Sequence, residues 1–303
     1  MTLPNALIAG TGRAGSTSLF RYLAAHPDVC GSLKKELQFF NTYKEDSGIH
    51  LDEYESNFSH CAKSHKVIIE ATPHYLLFGK EIAHIIARTL PRVKLIFILR
   101  EPVERLYTVY RNENNIDSQL TDITFDKYVD LAINGAGNNK SELESRFNYY
   151  LNTGCYAQQL AAYYDHFDAN QIRVFFFDDF KKDTPRFVND VCDFLDIDAN
   201  FYRSYNFTVE NKTRAFKNLK VHKLAYLMNR SLEKYLNSMP RLRQRLRSLY
   251  MLLNERTKRN NHMSDNARDT LTNFYRPYNQ ELRKLLCKQS NINNLPAWLG
   301  DNI

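Results

Sequence analysis

The chain holds no apolar run approaching 18 residues and shows no leader of the secretory kind at its start. A bilayer-spanning helix needs roughly 20 apolar residues, so neither a membrane span nor a signal peptide is expected. Cysteine is sparse and odd in number, with Cys30, Cys61, Cys155, Cys192 and Cys287 widely spaced. No Cys/His spacing of the zinc-site kind joins them, so reduced thiols in a cytoplasm are the expectation. Internal repeats, low-complexity tracts and a nucleophilic Ser-His-Asp pattern are absent as well. What remains is the composition of an ordinary globular protein: 303 residues, 43% hydrophobic and 13% aromatic. That length is enough for one α/β domain with a sizeable core and a helical extension.

The informative stretch comes early. Ala6-Leu7-Ile8-Ala9 leads directly into Gly10-Thr11-Gly12-Arg13-Ala14-Gly15-Ser16-Thr17-Ser18, and Leu19-Phe20-Arg21-Tyr22-Leu23 continues at helical spacing. A strand, a glycine-rich turn and a helix N-terminus make an anion cradle, because backbone N–H groups converge where the helix dipole is positive. Gly10 and Gly15 have the spacing of nucleoside-triphosphate loops, but Ser16 stands where the phosphate-binding lysine belongs. That speaks against ATP or GTP hydrolysis. The same residues spell G-x-G-x-x-G, with Glu36 near the distance of a ribose-binding acid. An NAD-dependent oxidoreductase of Rossmann type, and a non-catalytic nucleotide-binding module, are therefore the alternatives. Against the first, Val29 to Lys35 contains two lysines and a glycine and reads poorly as the buried strand such an acid should end.

Val93 to Leu99 is the strongest buried-strand candidate, and it ends in Arg100-Glu101-Pro102-Val103-Glu104-Arg105-Leu106-Tyr107-Thr108. Parallel sheets place ligands at the carboxyl ends of their strands, which brings Arg100 toward the Gly10 loop. A guanidinium fork with a hydroxyl from the next helix suits a second phosphate.

With both motifs in place the chain resembles the sulfotransferase domain family that uses 3′-phosphoadenosine 5′-phosphosulfate (PAPS), nearest its bacterial and heparan-sulfate-type branch. Three further stretches carry the resemblance: Lys35-Glu36-Leu37-Gln38-Phe39-Phe40, Glu70-Ala71-Thr72-Pro73-His74-Tyr75, and Gly154-Cys155-Tyr156 ahead of Ile172 to Phe180. Lys212-Thr213-Arg214 is similar to the family's nucleotide-closing loop, and Leu271 to Leu286 to its closing helix. The resemblance implies a three-layer α/β fold, P-loop-like, with a central parallel sheet flanked by helices and a C-terminal helical extension. It implies PAPS as donor co-substrate, with no metal required, and a hydroxyl-bearing acceptor such as a saccharide, lipid or metabolite. Gly12, Arg13, Ala14, Gly15, Ser16, Thr17 and Ser18 are the expected 5′-phosphosulfate loop, and Arg100 and Thr108 the 3′-phosphate site. Tyr156, Lys212, Thr213 and Arg214 complete the donor site. Glu36 is the expected base, His74 the second candidate, and Arg13 the cation that stabilises the leaving oxygen. Departures from the family pattern are Arg13 for its usual loop lysine, Thr108 for a serine, Gln38 for a histidine and Ala71 for a lysine.

The net charge of +7 is uneven, for residues 212–259 carry 14 Lys/Arg against only Glu233 and Glu255. This segment reads as amphipathic helices broken near Pro240, able to meet an anionic membrane or an acidic glycan; nucleic acid is not expected. The expected organisation is a donor-binding core over 1–210 and a basic helical extension with its closing helix over 211–303. Strands are expected near 5–10, 67–70, 93–99 and 172–178. Helices are expected over much of 17–26, 79–88, 102–113, 125–133, 154–168 and 184–195, with a polar loop at 134–140. With no anchor, a soluble, cytoplasmic, bacterial enzyme is the expectation.

Overall fold

The computed structural model describes residues 2–42, 51–114, 120, 123–134, 141–208, 215–216, 255–256, 263–289 and 295–300. Five strands form one parallel sheet: β1 (Ala6–Gly10), β2 (Val29–Gly31), β3 (Val67–Ala71), β4 (Lys94–Leu99) and β5 (Ile172–Phe176). Their order is β2-β3-β1-β4-β5, with Leu7 of β1 level with Glu70 and Leu95 on either side.

The central strands are apolar on both faces, as a sheet covered on both sides requires. Leu7 and Ala9 join Leu95, Phe97 and Leu99 in one core, shared with Ile82, Ile86, Leu160 and Tyr163. Those partners belong to α4 (Gly79–Thr89) and α8 (Tyr156–Tyr164). On the other face Ala6, Ile8, Ile96 and Ile98 pack with Leu19, Leu23, Val188 and Val191, from α1 (Ser16–Ala24) and α10 (Thr184–Leu195). This is the expected three-layer arrangement. Each fully buried Leu or Ile contributes about 1.5–3 kcal/mol, so these strands anchor the loops that leave their carboxyl ends.

The strand order bears on function. The dinucleotide fold places the strand that follows its first helix beside β1, ending in the ribose-binding acid. Here β3 occupies that place and β2 lies at the sheet edge. Glu36 is five residues past the end of β2, so the fingerprint reading fails on topology.

Several local expectations are corrected. The segment from Val29 does form a strand, but a three-residue one at the edge. The strand expected to 178 stops at Phe176, and α9 (Phe177–Lys182) begins there; the unbroken apolar run Val174 to Phe177 concealed the change. Short helices α2 (Phe39–Thr42) and α3 (Leu51–Ser56), together with α7 (Glu142–Asn152), had no counterpart in the expected elements. The reduced-thiol expectation is overturned: Cys30 and Cys61 form a disulfide across 31 residues, their Cα atoms 5.7 Å apart. Wide sequence spacing hid a pair that the fold brings together. His60 Nε2 lies 3.4 Å from Cys30 Sγ.

Two compact units divide the chain, one of Met1–Arg105, Asn152–Asn211 and Thr272–Ile303, the other of Leu106–Leu151 and Lys212–Leu271. The second has its own aromatic cluster, in which Tyr107 meets Phe125 at 4.9 Å and Tyr128 meets Phe147 at 4.0 Å between ring centroids. Helix α5 (Pro102–Asn114) runs from the first unit into the second, α6 (Phe125–Asn134) lies in the second, and α11 (Asp265–Gln289) covers the expected closing helix. Lys212, Thr213 and Arg214, the polar loop from Gly135 to Lys140 and nearly all of the basic segment lie outside the described residues. Within that segment Ala215 pairs antiparallel with Arg256, and Phe216 with Glu255. Among the described residues no helix is long and apolar enough to cross a membrane.

Candidate active site

The site is built where β1, β3 and β4 end. After β1 the chain turns tightly, with Thr11 N–H donating to the Ile98 carbonyl of β4 at 2.9 Å. A Cβ on Gly10 would come within 2.5 Å of Leu76 Cβ, so only glycine lets the loop start here. Gly15 caps α1 in the left-handed region, at φ 85°, and a Cβ there would meet the Phe180 ring at 2.6 Å. Arg13 also has positive φ, 68°, a conformation that costs a non-glycine residue on the order of 1–3 kcal/mol and gathers at functional sites. The first N–H groups of any helix lack intrahelical acceptors, and Gly15 brings no side-chain acceptor to them, so the cap suits an anion. The Thr11 hydroxyl, fully buried, has no hydrogen-bond partner. Donors, a cation at Arg13 and the absence of any acidic side chain from Gly10 to Ser18 fit a phosphate group.

The second motif arrives where the strand ends. Arg100 Nη1 donates to the Arg13 carbonyl at 2.9 Å, joining the β4 end to the loop. Its guanidinium lies over the Phe177 ring at 4.8 Å. Tyr156 is buried, and its hydroxyl donates to the Arg100 carbonyl at 2.8 Å. Burial presses the Arg100 pKa down from its usual value, against Glu104, Tyr156 and Asp178, which raise it. A desolvated cation of this sort is a functional-site signature, because an arriving anion restores what burial removed. Thr108 stands on the part of α5 that belongs to the second unit. Lys212, Thr213 and Arg214 are not among the described residues.

Beside the loop lie the candidate bases. Glu36 is exposed and pairs with Lys35 at 2.6 Å; an exposed pair of this type holds weakly and yields readily to another partner. His74 Nδ1 lies 3.3 Å from the Gln38 amide nitrogen. That nitrogen only donates, so Nδ1 accepts and the neutral ring carries its proton on Nε2. Burial lowers the His74 pKa most; Glu36 raises it, and Lys35, Arg105 and Arg13 lower it further. His74 therefore feels the charges of Glu36 and Arg13 among others.

The sequence reading overlooked two features of this region. Arg105 is buried and its guanidinium donates to the Thr153 hydroxyl. Glu70 is fully buried and ties Tyr54, Thr72 and Tyr75 together. Both lie in stretches already singled out, but burial has no sequence signature for a charged side chain.

Comparison with known proteins adds three findings. The family model described as a sulfotransferase domain matches residues 3–284. A membrane-associated sulfotransferase, kil1, from Dictyostelium discoideum is 37% identical over 115 residues, 36% of this chain and 23% of that protein. The human bifunctional heparan sulfate N-deacetylase/N-sulfotransferase 1 is 27% identical over 308 residues, 99% of this chain and 31% of that protein. The chain therefore spans less than a third of the length of either relative. Among solved structures, a sulfotransferase from Alicyclobacillus acidocaldarius shares the fold, with a TM-score of 0.66 and 22% identity over 98% of this chain and 99% of that one.

Proposed function

Because the chain belongs to the sulfotransferase domain family, matched over residues 3–284, we propose that it transfers a sulfuryl group from PAPS to a nucleophilic acceptor. The observation that carries this reading is the hydrogen bond from Arg100 to the Arg13 carbonyl. It sets the cationic end of β4 against the phosphate loop, as a donor with phosphates on both its 5′ and 3′ sides requires.

PAPS supplies the sulfuryl group; the protein's task is positioning and charge stabilisation. Backbone N–H groups from Gly12 through Ala14, Gly15 and Ser16 to Ser18, with the Thr17 hydroxyl, hold the 5′-phosphate. Arg13 faces the bridging oxygen and stabilises its charge as the sulfur–oxygen bond breaks. Arg100 and Thr108 take the 3′-phosphate, Tyr156 fixes Arg100 from behind, and Lys212, Thr213 and Arg214 close over the nucleotide. Glu36 accepts the acceptor proton as the new bond to sulfur forms, with His74 as the alternative base. Residues 1–210 carry most of this donor chemistry, and the basic segment of 212–259 is assigned to an acidic glycan or an anionic membrane.

A saccharide is the favoured acceptor class, because one of the relatives described above is named for heparan sulfate. Those relatives and the solved structure span an amoeba, a mammal and a bacterium, so they lend no weight to a bacterial source. The Cys30–Cys61 bond favours an oxidising compartment over the cytoplasm.

The test is transfer from sulfur-labelled PAPS to a panel holding a polysaccharide with free hydroxyl and amino groups, a glycolipid and a phenol. Label should move to one class, the polysaccharide first, and move about 10²- to 10³-fold more slowly with Arg13→Ala. Intact PAPS with every acceptor would contradict the proposal.

A further inference from the structure

Glu70 is the last residue but one of β3 and is wholly shielded from water. A carboxylate in such a place is costly unless donors surround it. The Tyr54 hydroxyl donates to Oε2 at 2.9 Å and the Tyr75 hydroxyl at 3.2 Å. The Thr72 hydroxyl donates to Oε1. Burial raises the Glu70 pKa, and these hydroxyls and the nearby Leu37 backbone N–H draw it back down. The neighbouring residues extend the pattern. Ala71 accepts the Glu36 N–H on its carbonyl at 3.0 Å, and Thr72 Oγ1 accepts the Gln38 N–H at 3.3 Å.

Two amides of the turn, those of Glu36 and Gln38, are therefore held by Ala71 and Thr72, the residues that follow Glu70 at the end of β3. The segment needs such a hold. Glu36 has φ 63° and Gln38 φ 58°, and left-handed backbone at a residue other than glycine persists only where its surroundings over-determine it. A carboxylate, which only accepts, serves all its donors at once; a glutamine would turn one oxygen into a donor facing donors.

We propose that Glu70 and Thr72 are positioning residues that clasp the Glu36–Gln38 turn and thereby fix where the Glu36 carboxylate stands for proton transfer. The inference rests on Glu36 being the base of the proposed function. Thr72 is the sensitive point, because its hydroxyl donates to Glu70 and accepts from Gln38.

The experiment compares Thr72→Val with Thr72→Ser in the full chain, and Glu70→Gln as an independent break. Three quantities are read: amide hydrogen exchange at residues 36–38, calorimetric affinity for 3′-phosphoadenosine 5′-phosphate (PAP), and single-turnover transfer to the acceptor found by the panel, across pH. In Thr72→Val exchange at Gln38 should quicken by about tenfold. Transfer should slow by about 10- to 100-fold, with PAP affinity kept. Thr72→Ser should restore both. The pH profile of transfer should change in Thr72→Val and return in Thr72→Ser. Wild-type exchange in Thr72→Val, unchanged transfer despite faster exchange, or a parallel loss of PAP affinity would each overturn the proposal. A wild-type protein that fails to bind PAP would instead count against the proposed function, while the exchange comparison would still decide the clasp.

Discussion

At the scale of single residues, the proposed function gives two arginines different parts of the chemistry although they touch. Arg13 sits in the loop with strained backbone, and the proposal assigns its side chain to the charge that develops as the sulfur–oxygen bond breaks. Arg13→Ala should therefore lower the transfer rate by about 10²- to 10³-fold, with PAP affinity little changed. The proposal assigns Arg100 to the 3′-phosphate in ground and transition states alike. Arg100→Ala should weaken PAP binding by about 10- to 100-fold, measured by calorimetry. Equal effects of both variants on rate and affinity would merge the two roles and contradict this division. His74 gives a separate signature in stability. Burial holds its folded pKa below the ordinary 6.5, so between the two values the unfolded chain binds a proton that the folded chain does not. Its contribution is complete above 6.5 and is lost as pH falls below that value. Urea unfolding midpoints should decline on acidification through this window in the wild type and decline less in His74→Gln. Parallel curves would show that His74 is not held neutral. Arg13, Glu36 and His74 stand out in the sequence because each lies inside a motif with a chemical purpose. Glu70 and Thr72 stand in such a motif too, yet their part depends on which amides they meet, and that is set by the crossing of β3 with the Glu36 turn.

At the scale of elements, legibility followed burial. β1 and β4 are continuous apolar runs because both their faces are covered, and such runs announce themselves. β2 is three residues at an edge, too short for any period to register. The helix after β5 was hidden because Phe176 and Phe177 keep the apolar character of the strand while the backbone changes course. The Cys30–Cys61 bond could not be read from spacing, since it joins edge strand β2 to the turn between α3 and β3 only after both have packed. It closes a 31-residue segment that includes Lys35, Glu36 and Gln38. Loop-closure entropy assigns such a cross-link about 3–4 kcal/mol. Cys30→Ser should lower unfolding stability by that order, and a dithiol reductant should lower the wild type to match while leaving the variant unmoved. A wild type indifferent to the reductant would contradict the bond's contribution.

At the scale of the whole molecule, function is written in strand order more than in any loop. A phosphate loop of G-x-G-x-x-G spelling serves two kinds of nucleotide, and the residues of the loop alone do not separate them. The sheet does, because β3 rather than β2 lies beside β1 and because the neighbouring strand β4 delivers a guanidinium to the loop. The fold class was legible from its two buried strands, and the division of the chain into two units was not, since a helix as regular as α5 passes from one to the other. The central claim is that the carboxyl end of this sheet recognises a nucleotide by phosphates on both its 5′ and 3′ sides. The most direct test is calorimetric titration of the wild type and Arg100→Ala with PAP, 5′-AMP and NAD in magnesium-free buffer. A charge-assisted phosphate contact is worth roughly 2–3 kcal/mol, so PAP should bind the wild type about 30- to 100-fold more tightly than 5′-AMP. Arg100→Ala should close most of that gap, and NAD should bind weakly if at all. Binding of NAD or 5′-AMP as tight as that of PAP would contradict the account.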